Sequence, residues 1–182
     1  MVTGHDVFKV PKMLVRKYNT CDPFELAREL HIIVKYRSDF VKQRGASVII
    51  LGNRMIFINA NMSEQMQRMV CAHELGHLLL HKANYSKRAW VLNHELFDIR
   101  NQLEYEANVF AANLLIDDTE MFDYLKEGYN LVTTANCLGI NVNMLVLKLV
   151  EMNKQQGYNF RISDMPERGF MGSIPDNDTT DW

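Results

Sequence analysis

The sequence predicts an α+β fold, mainly helical with a small β region, and three observations carry that expectation. Stretches 63–81 and 98–116 hold apolar residues at helical spacing. In the first, Met66, Val70, His73, His77 and Leu80 share one stripe; in the second, Ile99, Leu103, Ala107, Phe110 and Leu114 do. Segments 46–51 and 55–59 are short, apolar and β-branched, and Gly52-Asn53-Arg54 between them marks a hairpin. The chain has 182 residues, 47% of them hydrophobic, which suffices for one domain with a real core.

The elements follow in order. Pro11 is placed to open a short helix through Tyr18. Asp22-Pro23 is a helix start, with Asp as N-cap and Pro in the first turn, and that helix carries Phe24, Leu26, Ala27 and Leu30. Residues 31–36 then read as a strand. After the hairpin, Asn61 with Glu64 three residues on suggests a capping box for the 63–81 helix. A polar link at 82–88 and a short apolar piece at 90–92 precede the second long helix, which Asp117-Asp118 ends. A further helix at 120–126 stops at Gly128. Residues 132–155 read as helix, turn, helix, with the turn at Gly139-Ile140-Asn141. Three segments are expected: a main unit at 1–128, a helical pair at 129–160 packed on its core, and a tail at 161–182. The tail is polar and rich in Pro and Gly, with little to bury, and is expected to be mobile.

Composition narrows the function classes. A net charge of −2 and a pI near 6.3 give no general pull toward nucleic acid or an anionic membrane. Cys21, Cys71 and Cys137 are odd in number and scattered, which speaks against a disulfide framework and for a reducing cytoplasm. No charged-then-apolar leader opens the sequence and no membrane-length apolar run interrupts it, so a soluble, cytoplasmic protein is expected.

One motif points to chemistry. His73-Glu74-Leu75-Gly76-His77 is an H-E-x-x-H pentad inside the first long helix. Residues four apart lie on one helix face, so both imidazoles can reach a single metal ion, while Glu74 stands beside them to handle a water. Such a pentad arises by chance in roughly one chain of this composition in a hundred. Catalytic zinc takes three protein ligands and leaves a position for water, so a third ligand is required. Glu104 and Glu106 on the second long helix are the candidates, about 200° apart around its axis. Glu104 is favoured over Glu106. Ala111 and Leu115 extend the buried face toward it, and Asn108, on the same face, could hydrogen-bond a ligand from outside the metal. Whichever glutamate loses is expected to be a solvated helix carboxylate. His81 extends the histidine face, but it lies about 12 Å from His73 along the axis, too far for three straight-helix ligands on one tetrahedral ion. A role as cation or hydrogen-bond partner at the helix end suits it better. Cys71 falls on the far side and reads as a buried apolar residue. His94, Tyr105 and Tyr85 are candidate donors to a developing oxyanion, with no motif to choose among them.

With these residues assembled, the chain resembles the ImmA/IrrE family of zinc peptidases. The likeness rests on His-Glu-Leu-Gly-His-Leu-Leu-Leu-His at 73–81 and Glu-Tyr-Glu-Ala-Asn-Val-Phe-Ala-Ala-Asn-Leu-Leu at 104–115, with the Asp22-Pro23 helix, strand and hairpin ahead of them. It covers roughly residues 20–118. The resemblance implies a zincin-like α+β fold, a small antiparallel-containing sheet packed on a helical body, with residues 1–128 as the metallopeptidase domain. It implies one Zn2+ per chain held by His73, His77 and Glu104, with Glu74 as the base. It also implies the activity of an anti-repressor of phages and integrative elements, directed at a helix-turn-helix repressor. One departure stands out: family members often close the second block with Leu-Leu-Met-Pro, whereas this chain runs Leu114-Leu115-Ile116-Asp117-Asp118. The following loop, which can border a substrate groove, therefore differs.

Three functions compete: a zinc endopeptidase acting on a regulatory protein, a metal-containing module that inactivates a transcription regulator by contact with little or no proteolysis, and direct DNA binding through 132–155. An intact Glu74 favours the enzyme. The DNA reading is disfavoured because that segment's bases are mainly Lys148 and Lys154, and phosphate contacts demand more.

Overall fold

The computed structural model describes residues 6–81, 91–93 and 102–160. Among these, seven helices and four strands alternate as α1 (Asp6–Tyr18), α2 (Pro23–Glu29), β1 (Ile33–Arg37), β2 (Gly45–Ile50), β3 (Asn53–Asn59), α3 (Glu64–Leu80), β4 (Val91–Asn93), α4 (Gln102–Leu115), α5 (Asp118–Lys126), α6 (Leu131–Cys137) and α7 (Val142–Gln156). The fold is α+β, as expected.

The helix start at Asp22 forms as its residues dictate: the carboxylate accepts from the Phe24 N–H at 2.9 Å and Pro23 follows. Two other starts differ from expectation. α1 begins at Asp6 and keeps Pro11 inside it. Proline there gives up a backbone hydrogen bond, but burial of Val7 and packing of Phe8 upstream favour the longer helix. α3 is capped by Ser63, whose hydroxyl accepts from the Met66 N–H at 3.3 Å, not by an Asn61–Glu64 box. Asn61 is occupied elsewhere: its own N–H donates to Asn59 Oδ1 and its side-chain amide donates to the Ser38 carbonyl.

The sheet runs β1-β3-β2-β4. β2 and β3 are the hairpin, and β1 joins β3 in parallel, so the sheet is mixed. The turn is tighter than the sequence suggests. It consists of Leu51 and Gly52, both left-handed at φ 49° and 81°, and Asn53 and Arg54 already belong to β3. A two-residue hairpin of this type I′ form has positive φ at both positions because that twist matches the strands. β4, from the apolar piece at 90–92, adds a strand beside β2, pairing Val91 with Ser47 and Asn93 with Gly45.

α3 runs through the middle, against the sheet, α2 and α4. Residues Met69 to Leu78 are buried on every side, so the stripe read from the sequence understates its burial. Val70, Leu75 and Leu78 each contribute about 1.5–3 kcal/mol by leaving water, which offsets placing His73, Glu74 and His77 in the interior. α4 is enclosed in turn by α1, α3 and α7. Where α3 meets α4, a Cβ on Gly76 would lie 3.1 Å from the Ala107 Cα and 3.2 Å from Phe110 Cβ. Glycine against alanine therefore sets how closely the two helices approach.

α6 and α7 cross at 109°, with Gly139 left-handed in the turn. The angle lies within the range of DNA-binding helix-turn-helix units. Here, however, the second helix is core: Asn143 to Leu149 are buried, and it packs on α4. No single helix among the described residues is long and apolar enough to cross a membrane. The proposed tail at 161–182 lies outside the described residues.

Candidate metal centre

The close approach at Gly76 brings together residues one turn away on either side. His73 Nε2 and His77 Nε2 are 3.1 Å apart. Glu104, reaching across from α4, sets Oε2 at 3.2 Å from His73 Nε2 and Oε1 at 3.4 Å from His77 Nε2. A different carboxylate oxygen faces each ring, and each separation is near the edge of about 3.3 Å between ligands on metal–nitrogen bonds of about 2.0–2.1 Å. His73, His77 and Glu104 thus form a candidate metal site, buried in the protein.

The protons on the two rings decide what the site can hold. Asn108 Oδ1 lies 2.9 Å from His73 Nδ1 and, as an amide oxygen, can only accept, which puts the His73 proton on Nδ1. On the other ring, His77 Nδ1 is 3.2 Å from His81 Nδ1, and His81 Nε2 is 2.9 Å from the Glu106 carboxylate. A carboxylate accepts, so His81 donates from Nε2, accepts at Nδ1, and leaves the His77 proton on Nδ1. Both Nε2 atoms then turn lone pairs toward a carboxylate, one oxygen of which, Glu104 Oε2, is buried with no hydrogen bond among the described residues. Three electron-rich atoms facing one buried point are reconciled by a cation.

A proton on an Nε2 can take the place of that cation, and the electrostatics describe this protonated state. Burial pushes the Glu104 carboxyl up, but the two imidazoles outweigh it and bring it down to about 2. Burial pushes His73 down, and its contacts with Glu104, Glu74 and Asn108 outweigh that and raise it. Both shifts favour a positive charge between the rings and the carboxylate.

Glu74 is also buried, and the Ser47 hydroxyl on β2 donates to its Oε2 at 2.5 Å. Gly45 makes room for it: a Cβ there would lie 2.4 Å from Val70 Cγ1 and 3.1 Å from Glu74 Oε1. Neither residue was singled out from the sequence, although Ser47 is a polar interruption in an apolar strand.

Two comparisons bear on these residues. Residues 28–149 match the profile of the peptidase M78 family, described as an IrrE N-terminal-like domain. The chain belongs to that family. The uncharacterized immunity region protein 2 of Bacillus phage phi105 is 32% identical over 136 residues, spanning 74% of this chain and 84% of the relative. The M78 domain therefore contains the whole candidate centre, and the family is of metallopeptidase type.

The remaining expectations resolve individually. Glu106 is not beside His73 or His77. Nor is it a solvated carboxylate: its side chain is 19% exposed, and it accepts from His81 and from the Gln102 amide. His81, 6% exposed, is a hydrogen-bond partner at the end of α3. Burial holds its pKa below the usual histidine value against the pull of Glu106, in keeping with the neutral ring. Cys71 is fully buried, and burial pushes its thiol far up, so it is an apolar core residue. Tyr105 donates to Glu151 of α7. Tyr85 and His94 lie outside the described residues.

Proposed function

We propose that this M78 chain is a zinc-dependent metalloendopeptidase that acts as a site-specific anti-repressor, cutting a helix-turn-helix transcriptional repressor. The observation that carries the reading is the convergence of His73, His77 and Glu104 within 3.1–3.4 Å of one another, with both Nε2 lone pairs directed inward. We assign these three as metal ligands, Asn108 as the group that orients His73, and Glu74 as the general base. One ion per chain follows from the single set of ligands among the described residues.

A bound zinc ion would supply Lewis acidity, bringing a water toward a pKa of about 7 and polarising the scissile carbonyl. Glu74 takes a proton from the attacking water as the carbon–oxygen bond forms, then delivers it to the leaving amine as the carbon–nitrogen bond breaks. Ser47 holds that carboxylate against β2, so its orientation does not depend on substrate. Burial of these groups suits this chemistry, because charge interactions weaken less there than in water.

The substrate class is supported by the family likeness and by a relative named for a phage immunity region. A protein target is favoured over DNA, since Lys148, one of the few bases on α6 and α7, is 1% exposed. The test uses purified protein, its metal content, and a candidate helix-turn-helix repressor. Wild type should carry about one zinc per chain. Glu74→Gln should keep the zinc and lose cleavage by about 100-fold or more. His77→Ala should lose the metal, and full zinc in that variant would end the metal assignment. Inactivation of the repressor by Glu74→Gln at the wild-type rate would establish contact inhibition in place of proteolysis.

A further inference from the structure

His81 and Glu106 lie outside the candidate ligand set, yet both are substantially withdrawn from water and bonded in series to a ligand. From the Glu106 carboxylate the chain of contacts runs 2.9 Å to His81 Nε2 and 3.2 Å from His81 Nδ1 to His77 Nδ1. We propose that His81 and Glu106 are positioning residues for metal binding: two hydrogen bonds in series hold the His77 proton on Nδ1 and so keep its Nε2 lone pair directed at Glu104 and His73. The proposal rests on the metal reading above.

The direction of the series is fixed at its outer end. A carboxylate has no proton to give, so His81 must donate to it and can only accept from His77. With Glu106 absent, nothing forces this order. His81 could then carry its proton on Nδ1 and donate to His77, which would place the His77 proton on Nε2, where it blocks a metal. His73 needs no share in this arrangement, because the Asn108 amide serves it separately. The two rings are thus set by independent partners from one helix, with Asn108 and Glu106 on opposite sides of Ala107. Glu106 is itself fixed by the Gln102 amide, 2.7 Å from its other oxygen. Spacing explains why a third histidine fits: four residues beyond His77, it stands one turn up the same face and closes the series at the end of α3.

Three variants test the proposal against wild type, with two readouts on each. The first is the protonated nitrogen of His77 in the metal-free protein, by long-range nitrogen–proton NMR. The second is zinc affinity by competition with a chromophoric chelator. Wild type should show a single His77 tautomer with the proton on Nδ1. Glu106→Gln keeps size and hydrogen bonding but can donate as well as accept, so His77 should become a mixture and zinc affinity should fall about tenfold. His81→Leu should show the same mixture and a loss of up to about 100-fold. His81→Gln should retain most of the affinity, because its amide oxygen accepts from His77 while its NH2 donates to Glu106. Wild-type tautomer and affinity in both Glu106→Gln and His81→Leu would overturn the proposal. So would loss of affinity with the His77 tautomer unchanged, which would mark a packing role. Equal losses in the Leu and Gln variants of His81 would also overturn it. A wild type that binds no zinc would overturn the metal reading together with this one, a result distinct from equal binding by wild type and variants.

Discussion

Ser47 lies 27 residues before Glu74, on a strand, and its hydroxyl donates to that carboxylate. A hydrogen bond to a charged group contributes about 1.5–3 kcal/mol, enough to select one carboxylate orientation. Ser47→Ala is therefore expected to slow repressor cleavage about tenfold or more while leaving zinc content unchanged, as followed by single-turnover kinetics and metal analysis. At this scale the sequence is informative where contacts are local. Helical spacing alone puts His73 and His77 on one face, and Asn108 one turn beyond Glu104. It is silent where partners are distant. Nothing in the spacing pairs Glu106 with His81, so the glutamate reads as a surface residue until the tertiary fold brings the helices together.

Gly76 shows how the same site depends on whole elements. A Cβ there would press on Ala107 and Phe110, both buried, so α3 and α4 would have to separate by a few tenths of an ångström or tilt. Gly76→Ala should lower stability by about 1–3 kcal/mol in urea unfolding. It should also weaken zinc binding, because Glu104 moves away from the histidines with its helix. A fully retained zinc affinity would show that the helix spacing does not set the ligand distances. The elements themselves were largely legible: both long helices, the hairpin and the α6–α7 pair follow from periodicity and from turn residues. The misreadings have physical causes. Leu51 joins Gly52 in the left-handed conformation, and Asn53 and Arg54 enter β3, because the register of β2 against β3 demands a two-residue turn. β4 is three residues long and is defined by its pairing with β2, which no local pattern reveals.

Across the whole molecule, Asp118 ties the two ends of the described chain. Lys12 of α1 approaches it at 2.7 Å and Lys148 of α7 at 2.5 Å, while the Lys148 ammonium also donates to the Ile116 carbonyl beyond the end of α4. Burial pushes the Asp118 carboxyl up, and the two ammoniums outweigh it, so its pKa lies below the ordinary value. Burial lowers Lys148 in spite of Asp118, as a nearly inaccessible ammonium requires. A depressed carboxyl stabilises the fold at pH values above its unfolded pKa of about 3.9, and that contribution is lost as pH falls through the folded value. Asp118→Asn should therefore cost about 3 kcal/mol at pH 7, leaving Lys148 buried with its main partner gone, and the difference from wild type should shrink by pH 3. Urea titrations at the two pH values measure it, and a gap that does not narrow would mean that the aspartate acts through shape. Long-range ties of this kind, 106 residues apart for Lys12 and Asp118, are the part of the fold that sequence patterns leave unwritten. Because Lys148 closes the far end of α4, the order of synthesis also matters. A ribosome adds ~5–20 residues per second, so the stretch of about forty residues from Asn108 to Lys148 takes roughly 2–8 s to make. For that interval every residue assigned to the metal is already present on the nascent chain, while the helix that backs α4 has yet to be completed.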